Sequence, residues 1–390
     1  MNLKRVSSID ALRGFALLGI LLVNMMHFQY ATETKEVISQ FPYFNENVYY
    51  AIRILLQGSF LTMFAFIFGF SIMQFYHSRL TKQLSYKKPL VKRGIATLLI
   101  GLLHFLLIWE GDILTSYGFM IIISVFFIHV NEKILKILTY VMFAIYLLFN
   151  AFLRYTSDNL ISLGSELSGT MTYIEGTYLD MLNGRLLFGM DEVLISPIIN
   201  FIVYLINIST VPTLLMAFVF LGMLLAKRDI LGKQKFTHIK AIYWIPLLVI
   251  GLGLKFGLLL SNFWGMLLLS IGAALLTFGY VYLFLFLYDK VFHHRIKLVF
   301  ESVGKMSISN YITTSIVMTT LFSGYGFGLA TKLGLLNGIW VALLLYVLQA
   351  IVSYFWMTKF KQGPIEYLMR LWIYSDDKKK PVNESTTMTS

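Results

Sequence analysis

Between Phe263 and Tyr288 the chain reads FWGMLLLSIGAALLTFGYVYLFLFLY, without one Asp, Glu, Lys or Arg. About 20 apolar residues let a helix cross the ~30 Å hydrocarbon core of a bilayer, so this stretch predicts a membrane-spanning helix. Apolar stretches of the same kind surround it, near 11–30, 54–77, 94–110, 113–130, 134–153, 209–226, 241–260, 307–324 and 336–358. The predicted fold is all-α, a polytopic integral membrane helix bundle of about ten transmembrane helices. Composition agrees: 57% of the 390 residues are apolar and 13% charged, with a mean hydropathy of +0.73. A soluble domain carries about 25% charge.

The cations give an independent test. With a cytoplasmic amino terminus, the inner loops hold Lys4 and Arg5, the run from Arg79 to Arg93, and Lys133 with Lys136. They also hold Lys227 to Lys240, Lys290 to Lys305 and Lys359 to Lys380. The outer side holds only Lys35, Arg53, Arg154, Arg185 and Lys332, while Arg13 and Lys255 fall inside spans. Such a bias follows the positive-inside rule and predicts an inner-type membrane protein with both termini in the cytoplasm. The net charge of +12 then belongs to contacts with anionic membrane lipids, not nucleic acid.

The first span follows Lys4 and Arg5, carries Asp10 and Arg13 and meets no small-residue cleavage site, so it reads as a retained helix. Residues 1–374 are expected to form one transmembrane domain with an outer connector over 154–208, of which 197–208 could lie along the interface. A short amphipathic turn follows the last span, and residues 375–390 read as a disordered cytoplasmic tail. The absence of cysteine excludes disulfides and thiol nucleophiles.

Polar groups inside spans are expensive and require a partner or a function. Asp10 and Asn24 are spaced by two heptads, as are Arg13 and His27, so these four share one helix face. They are either packing devices, an ion pair and an interhelical hydrogen bond, or parts of a site. Thr97, Gly101 and His104 share a face of the third span, which ends in Trp109-Glu110-Gly111-Asp112. A buried imidazole beside a carboxylate suits a general base held in one tautomer by an acid. On an unbroken helix His104 and Asp112 would stand ~12 Å apart, so Gly111 would have to turn the chain back. The bland reading of His104 is a satisfied packing residue.

Gln57, Ser59, Thr62, Gly69, Ser71, Gln74 and His77 mark the second span, where small residues let helices approach. Ser307, Asn310 and Thr314 share a face of the ninth, with Asn310 either a packing hydrogen bond or a pocket wall. Gly253 and Gly257 read as a small-xxx-small contact, and Lys255 beside them as reaching a pocket or the interface. No HExxH, GxSxG or P-loop pattern is present, and the scattered histidines give no support for a metal site.

The run Ile9-Asp10-Ala11-Leu12-Arg13-Gly14-Phe15-Ala16-Leu17-Leu18-Gly19-Ile20, with Val23-Asn24, resembles the start of the YeiB family of bacterial membrane proteins. Further matching stretches are Gly101-Leu102-Leu103-His104 with Trp109 to Leu114, and Val303 to Ser307 with Asn310-Tyr311. Gly363-Pro364-Ile365-Glu366 with Arg370 completes the set. The Asp-x-x-Arg-Gly pattern is similar to that of transmembrane acyltransferases acting on glycans, among them bacterial polysaccharide O-acetylases and the lysosomal heparan glucosaminide acetyltransferase. In the polysaccharide enzymes a functional histidine lies fourteen residues beyond the aspartate. Asn24 stands there in this chain, which leaves His27 and His104 as candidates.

The resemblance implies transfer of an acyl group from cytoplasmic acyl-CoA to a glycan or lipid-linked acceptor arriving from outside. His104, Asp112, His27 and Glu110 are the expected catalytic set. Asp10, Arg13, Asn24, Arg93, Lys305 and Asn310 are expected to bind substrate, with Arg13, Lys92, Arg93 and Lys305 meeting donor phosphates. The alternative is a proton-coupled transporter or exporter of a small metabolite, with the same polar stripe lining its path.

Overall fold

In hydrocarbon a helix satisfies its backbone amides within its own segment. The computed structural model describes residues 7–160, 163–186, 213, 215–228, 241–260 and 262–376, and among them it contains helices and no strand. α1 (Ser7–Val23) and α2 (Met25–Tyr30) form the first apolar segment. The break at Asn24 is slight: its N–H donates to Ile20 O at 3.0 Å, and its carbonyl accepts from Phe28 N at 2.8 Å. α3 (Lys35–Ile38) and α4 (Glu46–Leu55) lead into α5 (Ser59–Thr81). The expected continuous span over 54–77 is interrupted at Gly58, whose φ of 79° lies where a side chain would be strained.

α6 (Lys87–Leu107) and α7 (Leu114–Phe127) form a hairpin, followed by α8 (Glu132–Leu160), α9 (Leu163–Glu175) and α10 (Tyr178–Leu186). α11 (Leu215–Lys227) precedes α12 (Ala241–Lys255), a short 3-10 turn (Phe256–Leu259) and α13 (Phe263–Lys290). α14 (His294–Lys305), α15 (Ser307–Phe322), α16 (Leu335–Lys359) and α17 (Pro364–Ile373) close the described chain. The residues 197–208 expected along the interface and 377–390 of the expected disordered tail lie outside the described residues.

Five stretches are long and apolar enough to cross a membrane: Glu46–Thr81, α6, Glu132–Phe152, α13 and α16. α7, α11 and Tyr243–Leu259 are shorter apolar helices. The chain is thus a multi-pass membrane protein. Large side chains such as Phe126, Trp340, Leu344 and Phe355 point outward, as lipid-facing residues do.

Two departures from the sequence reading concern polar segments. The basic loop after α13 contains a helix, α14, and the terminal turn is a full helix, α17. α14 is buried along Glu301 to Gly304 and packs on α1. The backbones touch through Gly14 and Gly304: a Cβ on Gly304 would lie 1.8 Å from Asp10 O, and one on Gly14 2.3 Å from Phe300 O. α17 is anchored by Glu366, whose carboxylate accepts from Ile308 N at 2.7 Å and from Ser309 N at 3.2 Å, with the Ser309 hydroxyl at 2.5 Å. A carboxylate there satisfies amides that the first turn of α15 cannot.

The Gly253–Gly257 expectation is half right. Gly257 packs against Gly265 O and Leu268, but a Cβ on Gly253 would meet open space. Gly251 takes its place, approaching Leu276 of α13. Lys255, expected to reach a pocket or the interface, is buried against backbone carbonyls. It is 1% exposed, and its ammonium donates to Gln57 O at 2.5 Å and Arg53 O at 3.2 Å. The cation therefore ties α12 to carbonyls at the end of α4, an end that favours positive charge.

Candidate functional site

α6 stops at Leu107, where Ile108 N and Trp109 N both donate to His104 O, at 2.9 and 3.0 Å. The chain turns back through 108–113, and Asp112 then caps α7. Its Oδ1 accepts from Leu114 N at 3.1 Å and its Oδ2 from Thr115 N at 2.8 Å. This is what an aspartate does well at a helix start, where bare amides and the helix dipole both favour an anion. The same Oδ1 lies 2.9 Å from His104 Nδ1. The ~12 Å of a straight helix has thus been folded away.

Both side chains of the pair are 1% exposed. Asp112 already accepts from two amides, so as a carboxylate it takes the Nδ1–H of His104 and leaves Nε2 as an acceptor. Nε2 is buried and has no hydrogen-bond partner in the structure. Two further buried atoms of this turn share that state, Trp109 Nε1 and Thr115 Oγ1. An unsatisfied buried polar atom costs ~1–3 kcal/mol, so a polar molecule bound here would be favoured.

Several contacts hold the turn. Gly101 is where α7 meets α6: a Cβ there would stand 2.2 Å from Thr115 N and 2.8 Å from Asp112 Oδ2. The Tyr311 ring centre of α15 lies 5.0 Å from that of the imidazole. Its hydroxyl donates to Gly111 O at 3.2 Å and accepts from Ile113 N at 3.3 Å. Trp109 stacks on Phe28 at 4.1 Å and meets the His104 ring edge-on at 6.3 Å.

His27 and Glu110 form a second, looser layer. Nε2 and Oε1 are 3.8 Å apart, with 31% and 41% exposure, and the His27 ring is 5.8 Å from Trp109. Above them α9 and α10 cover the end of α6. Tyr173 donates to Phe28 O at 2.7 Å, Tyr178 to Leu107 O at 2.8 Å and Arg185 to Leu106 O at 3.4 Å. The four expected catalytic residues therefore gather around one turn.

The expected substrate-binding residues divide. Asn24 and Asn310 line a crevice of about 10 Å³, room for one water, together with Tyr311, Tyr346 and Gln349. Asn310 also serves packing: its side-chain amide donates to Val303 O at 3.3 Å and Ser353 Oγ at 3.0 Å, while Gln349 donates to its backbone carbonyl at 3.0 Å. Asp10 pairs with Arg13 at 2.9 Å, and Arg13 also donates to Ser71 at 2.8 Å and Gly304 O at 3.4 Å. This cluster joins α1, α5 and α14, the packing role weighed for it from sequence. Lys305 pairs with Glu301 at 3.2 Å, and Arg93 is half-buried near the start of α6, roughly 16 Å along that helix from His104. Arg93 is thus not brought to the histidine.

Tyr311 and Arg185 are members of this neighbourhood that sequence reasoning left without a role. The Asn310-Tyr311 pair was the available signal for the first; nothing local pointed to the second. Among the described residues no group of three or more His, Asp or Glu is arranged to hold a metal ion.

Residues 225–376 match the family described as "Protein of unknown function (DUF418)". The chain is 27% identical over 385 residues to "Uncharacterized protein YxaH" of Bacillus subtilis (strain 168), covering 95% of this chain and 94% of that one. It is 24% identical over 383 residues to "Uncharacterized 39.9 kDa protein in amylase 3'region" of Bacillus acidopullulyticus, with 95% and 94% covered. "Uncharacterized protein YeiB" of Escherichia coli (strain K12) is 23% identical over 394 residues, with 94% and 96% covered.

Proposed function

Taking the chain as YeiB-like along nearly its whole length, we propose that it is a membrane-embedded acyltransferase using acyl-CoA as donor. The observation that carries this reading is the buried His104–Asp112 pair with an imidazole nitrogen left open. A packing histidine would have both ring nitrogens satisfied. Residues 1–374 form one domain of about ten crossings in the bacterial inner membrane, with both termini in the cytoplasm; the distribution of Lys and Arg supports this.

In this reading Asp112 keeps Nδ1 protonated while Nε2 takes the proton of an acceptor hydroxyl or amine. The acceptor atom bonds to the thioester carbonyl carbon, the carbon–sulfur bond breaks, and the imidazolium returns its proton to the departing thiolate. The products are the acylated acceptor and a free thiol. His27 and Glu110, at the more open layer, hold a glycan or lipid-linked acceptor arriving beneath α9 and α10. Asn24 supplies a polar wall to the crevice.

The test is turnover of acetyl-CoA by purified protein in nanodiscs, with His104→Ala alongside. Thiol release by the wild type that is lost in the variant supports the enzyme. Absence of turnover by the wild type, together with proton-coupled metabolite flux in vesicles, would overturn it in favour of a transporter.

A further inference from the structure

Where α10 meets the last turn of α6, Arg185 is 4% exposed. A guanidinium can donate at every one of its nitrogens, yet little of that capacity is used. Nη1 donates to Leu106 O at 3.4 Å, and among the described residues Arg185 makes no other hydrogen bond and no ion pair. Its Nε is buried without an acceptor. Lys255, also buried at a helix end, reaches two backbone oxygens, one of them at 2.5 Å. Arg185 is far less satisfied than a cation that only caps carbonyls. The acids of this region do not supply a counter-ion: Glu110 sits beside His27 at 3.8 Å, and Asp180 of α10 accepts from the amide and hydroxyl of Thr177 at 2.8 and 2.7 Å.

A buried charge without a partner is costly, and the donors left over describe the partner that is missing. With Nη1 on Leu106, the open edge of the guanidinium is the side-on fork of Nε–H and Nη2–H, which fits two oxygens of one phosphate or carboxylate. The surroundings favour a lipid as its bearer. Leu103 and Leu107 on α6, and Leu179 and Leu186 on α10, are exposed, so both helices that meet at Arg185 turn apolar side chains outward. Tyr178, whose hydroxyl donates to Leu107 O at 2.8 Å, stands on the same rim, as rings do at the level of lipid headgroups. An ester phosphate with acyl chains beneath it matches both the fork and the leucines; a soluble anion matches the fork alone.

We propose that this edge of Arg185 binds the phosphate of a lipid, whose chains lie along Leu107, Leu179 and Leu186. Its anchor at Leu106 is two residues beyond His104 in the chain. The inference deepens the acyl-transfer reading and, as to the acceptor, rests on it: in that reaction the lipid held here is the lipid-linked acceptor. The binding itself stands whether or not acyl transfer occurs.

The experiment uses full-length protein in dodecyl maltoside, a detergent without phosphate, and reads bound molecules by native mass spectrometry. One arm titrates phosphatidylglycerol, a second the phosphate-free monoglucosyl diacylglycerol, and a third glycerol phosphate, which has the phosphate without the chains. The wild type holds phosphatidylglycerol at least about tenfold more tightly than either of the others, since a charged hydrogen bond contributes on that scale. Arg185→Gln removes the preference, and Arg185→Lys, which keeps the charge but not the fork, loses most of it. Lys332→Gln, an exposed cation of another loop, binds as the wild type. Equal binding of the two lipids by the wild type, a comparison that needs no variant to fold, would overturn the proposal. So would an Arg185→Gln protein that keeps the preference and loses only stability, or glycerol phosphate bound as tightly as the lipid. Turnover without the phosphate preference defeats this inference alone; the preference without turnover defeats the acyl-transfer reading alone.

Discussion

His104 and Asp112 meet at 2.9 Å because one carboxylate does two jobs, capping the start of α7 and holding the imidazole at the end of α6. In the proposed reaction, structure and chemistry are therefore coupled at Asp112, and its variants separate them. Asp112→Ala removes the cap and should lower stability by about 1 kcal/mol. Asp112→Asn keeps an acceptor for the α7 amides and should fold normally. Both should lower acyl transfer by ~10²–10⁴, the usual span for general acid–base catalysis. Thermal unfolding alongside thioester turnover reads the two effects; an Asp112→Asn protein with full turnover would refute the orienting role.

Gly101 and Gly253 make a matched pair. A methyl at Gly101 would drive into Thr115 N at 2.2 Å, so Gly101→Ala should cost ~1–3 kcal/mol by overpacking and part His104 from Asp112. A methyl at Gly253 meets nothing, and Gly253→Ala should raise stability by ~0.5–1 kcal/mol through backbone entropy alone. Unfolding in detergent distinguishes them, and equal effects would contradict the packing described.

Lys255→Met keeps the length of the side chain and removes its donors. The carbonyls of Gln57 and Arg53 then lose this partner in a dry interior, and stability should fall by ~1–3 kcal/mol. If Lys255→Met leaves stability intact, the cation is not holding α4 to α12.

Asp376 pairs with Lys88 at 2.6 Å and Lys92 at 3.0 Å, and hydrogen bonds from these ammonium groups lower its carboxyl from 3.8 to about 2. A depressed folded-state value means the contact favours the folded arrangement above the ordinary carboxylate range and is lost as pH falls through about 2. Spin labels placed on α17 and at the start of α6 should hold a fixed distance at neutral pH and spread as the pH drops through that window. Asp376→Asn should abolish the dependence; a distance insensitive to acid in the wild type would exclude it.

The chain has no cysteine, so single introduced thiols report the sidedness directly. Ser39→Cys, before α4, should react with a membrane-impermeant maleimide on intact cells. Ser85→Cys, between α5 and α6, should react only after lysis. The reverse pattern would invert the proposed topology.

The apolar stretches were legible because hydrocarbon imposes one length and one kind of backbone on anything that crosses it. The His104–Asp112 contact was legible for a local reason: eight residues separate the pair, and a glycine stands between them. Tyr311 was not, since its bond to Gly111 joins positions 200 residues apart, and no pattern within either segment encodes the other. α14 was read as a loop because its charges look solvated; Glu301 and Lys305 in fact pair with each other while Gly304 seats the helix against α1. Lys255 was read as reaching a pocket or the interface, though backbone oxygens supply what a cation needs.

The carboxylate of Glu366 reaches Ser309 across 57 residues of chain, and this fixes an order of assembly. When α15 first leaves the ribosome, its leading amides have no protein acceptor there, and none arrives until all of α16 and the start of α17 have been made. A chain cut short after Lys359 would insert its helices yet leave that end undocked, so the last helix acts as a completion signal for the bundle.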